Sequence, residues 1–157
     1  MKIKLLTMGA TPKNYLQEGE RLFEKRLLNY VSFEKVEIPD LKHAKNLSKE
    51  QIKIEEGKLI LQKLNPTDFV VLLDERGQEM RSVAFAYWLE QLMHSSHKQI
   101  VFVVGGPYGF SDEVYARAKA KCALSRMTFS HQMIRLFFME QLYRAFSILR
   151  NEPYHHE

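Results

Sequence analysis

A chain of 157 residues with 45% hydrophobic and 27% charged side chains has the balance of a one-domain globular protein. Such a chain can bury roughly 70% of the surface its unfolded form exposes. The single cysteine, Cys122, excludes an internal disulfide and any cysteine-cluster metal site, and the longest apolar run, Val83 to Leu89, is far short of the roughly 20 residues a membrane helix needs. Twenty-three Lys and Arg against nineteen Asp and Glu leave a net charge of +4, which favours an anionic partner without identifying one.

The start, Met1 to Leu6, lacks the long apolar stretch and small-residue cleavage site of a signal peptide, so a cytoplasmic protein is expected. Lys2 to Met8 reads as a strand ended by Gly9, and Leu16, Leu22, Phe23, Leu27 and Tyr30 follow with helical spacing. Phe33, Val36 and Ile38 suggest a second strand closed by Pro39. Ser48 to Gln51 has the capping-box form, which predicts a helix running to about Leu64 before Asn65-Pro66. Phe69 to Leu73 is continuously apolar, the pattern of a strand buried on both faces, and Asp74 and Gly77 end it.

Ser82 is read as the cap of a helix whose apolar face runs through Phe85, Trp88, Leu89, Leu92 and Met93. Ile100 to Val104 is a second doubly buried strand, followed by Gly105-Gly106-Pro107-Tyr108-Gly109. Ser111 caps a short helix, Cys122 to Leu124 is a short last strand, and Ser130 caps a final helix from about His131 to Leu149. This alternation predicts a single α/β domain over residues 1–157 around a mostly parallel sheet.

The basic residues gather late: Arg117, Lys119, Lys121, Arg126, Arg135, Arg144 and Arg150 face only Glu140, Glu152 and Glu157. In the final helix Met133, Ile134, Leu136, Phe137, Phe138 and Met139 are interrupted only by Arg135. An outer helix would show one apolar stripe; this one asks for cover on two sides, which points to a homodimer. The tail from Asn151 has no apolar periodicity and is expected to add little to the core.

In an open parallel sheet, ligands bind beyond the carboxyl ends of the strands. Three loops there stand out: after Leu72-Leu73, at Gly105-Gly106, and from Leu124-Ser125 through Arg126, Met127 and Thr128 to Phe129. Glycines let backbone approach a ligand, and a side chain at Gly106 is expected to enter the ligand's space. The spacing is neither a dinucleotide nor a phosphate-loop fingerprint, so taken alone the loop reads better as a tight turn. Ser125 and His131 lack the nucleophile-elbow context of a hydrolase, and His94 with His97 has no third ligand to complete a zinc site.

Together, Leu73-Asp74-Glu75-Arg76-Gly77, Gly105 to Gly109, Leu124 to His131, Glu140 to Phe146 and the tail Pro153-Tyr154-His155 resemble the ribosomal large-subunit methyltransferase H family. With Glu37-Ile38-Pro39, the likeness spans essentially the whole chain. Ser130 departs from it, since relatives commonly carry Pro there, but both residues suit a helix start. The resemblance implies a SPOUT-type α/β knot, in which the C-terminal segment threads a loop to form a trefoil, a topology that periodicity never reveals. It also implies S-adenosylmethionine as cofactor, with Leu72, Leu73, Gly105, Gly106 and Leu124, Ser125, Arg126, Met127, Thr128, Phe129 and Ser130 as its contacts. The implied acceptor is N3 of a pseudouridine in the 23S rRNA helix that reaches the decoding centre of the assembled ribosome.

That chemistry needs in-line alignment of N3 and removal of its proton; it requires no metal. His155 offers an imidazole as base, Tyr154 could stack on the nucleobase, and Arg144 either holds a phosphate or solvates a helix face. The base stays open, with Glu140 and His131 next in line. A non-catalytic ribosome-binding factor and a small nucleotide-binding enzyme are the alternatives.

Overall fold

In the computed structural model, which describes residues 1–156, strand and helix alternate along the chain. The order is β1 (Lys2–Met8), α1 (Tyr15–Leu27), β2 (Ser32–Ile38), α2 (Lys49–Gln62), β3 (Phe69–Glu79), α3 (Ser82–Met93), β4 (Gln99–Val104), α4 (Asp112–Arg117), β5 (Ala120–Ala123) and α5 (Met133–Leu149). The strands form one parallel sheet in the order β2-β1-β4-β3-β5. No helix among the described residues is long and apolar enough to cross a membrane.

The continuously apolar strands are covered on both sides, as their sequence requires. Ile3, Leu5, Val71, Leu73, Ile100 and Phe102 join Leu27 of α1, Phe85 and Leu89 of α3 and Phe138 and Leu142 of α5 in one core. Alternate residues Leu6, Met8, Val70, Leu72, Val101 and Val103 meet Ile60 of α2 and Val114 of α4 on the other face. Each such buried side chain stabilises the fold by about 1.5–3 kcal/mol relative to exposure.

The capping box of α2 forms: Gln51 N–H donates to Ser48 Oγ at 3.2 Å, and Ser48 N–H donates to Gln51 Oε1 at 2.8 Å. Ser130 also caps, accepting from Met133 N–H at 3.1 Å, though regular helix begins only at Met133. Ser82 does not. Arg81 occupies the cap of α3, while the Ser82 hydroxyl donates to Gln141 Oε1 at 2.8 Å and ties α3 to α5.

Further expectations change. β3 continues past Asp74 and Gly77 to Glu79, because Leu73 and Gln78 both pair with Cys122. Residues 74–77 form an irregularity in the β3–β5 ladder, so that the register shifts between Leu73 and Gln78. A Cβ on Gly77 would lie 2.6 Å from Cys122 N and 2.7 Å from Lys121 C, so only glycine fits. β5 itself is placed at Ala120–Ala123, two residues earlier than its apolar letters suggest.

In α5, Arg135 is fully buried, while Phe137 is 41% exposed. In α1, Leu22 is likewise exposed and Glu20 is buried, in an ion pair with Lys35. Nor does the tail hang free of the domain: Glu152 N–H donates to Ser147 O at 2.9 Å, and the Tyr30 hydroxyl donates to Glu152 Oε2 at 2.6 Å.

Candidate functional site: a cleft at the strand ends

A cleft of about 430 Å³ opens beyond the carboxyl ends of β3, β4 and β5. Ligand sites commonly span roughly 300–1,000 Å³. Leu73, Gly105, Gly106, Leu124, Ser125, Met127, Thr128 and Phe129 line it, so the three loops singled out by sequence meet in one place. Gly109 makes this possible with φ +84° in the turn that returns the glycine loop towards α4.

Three expected contacts fall outside the lining. Leu72 is fully buried and packs on the opposite face of the sheet, because successive strand residues point to opposite sides. Arg126 is exposed and donates to Glu79 Oε1 at 2.5 Å. Ser130 is spent on capping α5.

Packing within the protein already leaves no room for a side chain at either glycine. A Cβ on Gly105 would lie 2.9 Å from the Phe110 ring, and one on Gly106 would lie 2.6 Å from Glu56 Oε2. The Gly106 side-chain position therefore meets the Glu56 carboxyl, a constraint that the sequence did not announce. Together the glycines form a cradle whose exposed surface is backbone, a surface that suits a cofactor with many acceptors.

The cleft floor is tied down by polar groups. The Tyr115 hydroxyl donates to Asp74, and burial together with that carboxylate pushes the phenol up to about 12. Cys122 reaches the cleft too, but burial raises its thiol to about 11, so it stays protonated and inert at neutral pH. At the far wall, burial and then the nearby Arg135 charge lower the pKa of His131. Arg135 itself donates to His131 O at 3.0 Å, Gly9 O at 2.9 Å, Met8 O at 2.5 Å and Thr11 Oγ1 at 3.1 Å. It clamps the loop before α5 to the end of β1.

Glu56 and Arg135 were not singled out by sequence. Glu56 looks like any helix acid, and its one signal is the neighbouring Gly57, a glycine inside a helix that implies close packing. Arg135 sits in an apolar run and reads as the solvent edge of it.

Tyr154, His155 and Arg144 come together, but not at this cleft. The Tyr154 hydroxyl donates to Glu140 Oε1 at 2.9 Å and Arg144 Nη2 donates to the same oxygen at 2.6 Å. Tyr154 also packs edge-on to Tyr143, with centroids 4.7 Å apart and Arg144 above its ring. Arg144 Nη1 lies 3.1 Å from His155 Nδ1; a guanidinium only donates, so Nδ1 accepts there. Ten residues separate Ile134, in the cleft wall, from Arg144, which along a helix is about 15 Å.

A family model described as "Predicted SPOUT methyltransferase" matches residues 1–155. The chain belongs to the SPOUT methyltransferase family. Two relatives named "Ribosomal RNA large subunit methyltransferase H" match along their length. The one from Parabacteroides distasonis is 55% identical over 157 residues, covering 100% of both chains. The one from Christiangramia forsetii is 54% identical over 156 residues, covering 99% of each. A solved probable methylase family protein from Haemophilus influenzae Rd KW20 shares the fold at TM-score 0.54 and 11% identity, covering 95% of this chain and 66% of that one. In this SPOUT chain the cleft lies where the fold brings β3, β4 and β5 to their ends, and the tail cluster lies at the other end of α5.

Proposed function

We propose that the chain methylates N3 of a pseudouridine in the 23S rRNA helix at the decoding centre, on the assembled ribosome, using S-adenosylmethionine in the cytoplasm. The convergence of Leu73, the Gly105-Gly106 pair and Leu124 to Phe129 on one backbone-lined cleft carries this reading. When bound, S-adenosylmethionine supplies a methyl group already activated on a sulfonium. The chain's task is then to align the acceptor, exclude water and take up the N3 proton.

Leu73, Leu124 and Ile134 give the cleft apolar walls, and the glycine backbone leaves room for a flat ring. His131, whose pKa is lowered by burial and then by the Arg135 charge, lines the cleft with the carboxylates of Asp74, Glu75 and Asp112, and its imidazole is the group we assign to take the proton. The tail cluster serves the rRNA: Arg144 meets phosphate, and Tyr154 and His155 meet the base.

In a homodimer the tail of one copy reaches the cleft of the other. Phe129 and Phe137 are 40% and 41% exposed with ring centroids 5.1 Å apart, on an apolar hollow of about 320 Å³ that also includes Met80 and Phe85. Phe129 belongs to both hollow and cleft, so a second copy seated on this face stands beside the cleft.

Mass spectrometry of 23S rRNA from a deletion strain tests the activity: one methyl should vanish from one pseudouridine and return with the parent gene. An unchanged rRNA would overturn the proposal, as would calorimetric binding of ATP in place of S-adenosylmethionine. Sedimentation at micromolar concentration tests assembly, with a stable parent monomer arguing against it. Phe137→Asp should shift the parent dimer towards monomer.

A further inference from the structure

Glu56 is 7% exposed, its Oε1 is fully enclosed, and that oxygen has no hydrogen-bond partner. A buried carboxylate without a partner is costly, and proteins keep such groups where a ligand supplies the missing contact. Its position is specific. Both carboxylate oxygens lie within 2.7 Å of the point a Gly106 Cβ would occupy; Gly106 lines the cleft, and Glu56 stands directly behind it, outside the lining itself. Lys53, three residues earlier and so on the same face of α2, lines it as well. Among the described residues no ion pair includes it: burial raises its pKa, and the nearby acid Asp40 raises it further. Ion pairs of this helix, Lys53 with Glu50 and Lys58 with Glu55, leave Glu56 out.

We propose that Glu56 receives positive charge on the methyl donor, through the edge of the Gly105-Gly106 cradle. This rests on the S-adenosylmethionine reading of the cleft. That cofactor carries two cationic centres, the ammonium of its amino-acid arm and the sulfonium. A carboxylate held in low dielectric attracts either one more strongly than it could in water. Removing the charge costs binding, whereas the empty protein gains by losing an unpaired buried charge.

Calorimetry of the ligand-free parent and Glu56→Gln with three probes tests this. S-adenosylmethionine carries both cationic centres, S-adenosylhomocysteine only the ammonium, and methylthioadenosine neither. The parent must bind S-adenosylmethionine; if it does not, the cofactor reading itself fails. Glu56→Gln should bind S-adenosylmethionine at least about tenfold more weakly, with methylthioadenosine unchanged. An equal loss for S-adenosylhomocysteine assigns the contact to the ammonium, and a loss confined to S-adenosylmethionine assigns it to the sulfonium. Equal weakening of all three probes means that Glu56 only shapes the loop, and unchanged affinity means that it faces no ligand; each overturns the proposal. Glu56→Asp, which keeps the charge but withdraws it by one methylene, should fall between parent and Gln. Ligand-free melting temperatures should match or exceed the parent's for Gln, which separates the binding loss from misfolding.

Discussion

The start of α5 is held by backbone and one buried guanidinium, whereas its end is held by side chains near the surface. At the start, Arg135 fastens the His131 carbonyl to the Met8 and Gly9 carbonyls, and β3 pairs through both Leu73 and Gln78 with Cys122, which lines the cleft. At the end, Glu140, Arg144 and Tyr154 hold one another through contacts that few other parts of the domain share. Chain geometry fixes the first region, so change there costs stability before it costs chemistry. In the second, side chains can be removed while the fold survives.

Four variants test that contrast, in falling order of expected effect on stability. Gly77→Val places a side chain against backbone atoms of Lys121 and Cys122 that have nowhere to move. It should cost more than about 4 kcal/mol, read by denaturant unfolding or as loss of soluble protein. A variant that folds with the parent's midpoint would show that the approach of Gly77 to β5 is slack.

Arg135→Met leaves carbonyls of Met8 and Gly9 without their donor and removes the positive charge near Glu37, 3.7 Å away. The expected cost is about 3 kcal/mol, with weaker cofactor binding because His131 and its loop are released. Should stability fall while affinity holds, Arg135 supports the core but not the cleft.

Glu56 gives a pH signature. Burial raises its pKa from 4.5 to about 6, so the folded chain holds this proton more tightly than the unfolded chain does. Stability from this group is therefore greatest at low pH and falls as pH rises from 4.5 through 6, by about 2 kcal/mol in all. Subtracting Glu56→Gln from the parent across that window isolates the slope. A flat difference would place the carboxyl in water.

Replacing Tyr154 and His155 together by Ala should have the smallest effect on stability, about 1 kcal/mol, from the lost contact with Tyr143 and the lost bond to Glu140. S-adenosylmethionine affinity should stay near the parent's while methyl transfer to ribosomes drops steeply. Transfer at the parent's rate would free the tail of any role in the reaction and leave His131 as the base to pursue.

The sequence by itself determined the parallel α/β order, the doubly buried β3 and β4, the capping box at Ser48 and the three loops that meet in the cleft. These are local signals: period, cap chemistry and glycine each act within a few residues. Tertiary structure alone decided that β3 runs on to Glu79, since strand length there depends on pairing with Cys122, more than forty residues later in the chain. It also decided that Arg135 is buried and Phe137 exposed, because a helix apolar on every side carries no record of which side its neighbours will cover. Tyr154 and His155 were legible as a pair, but their distance from the cleft was not, because it is set by the length and path of α5. Glu56 was hidden for the same reason: a carboxylate becomes costly only when a distant glycine loop closes over it and takes away its water.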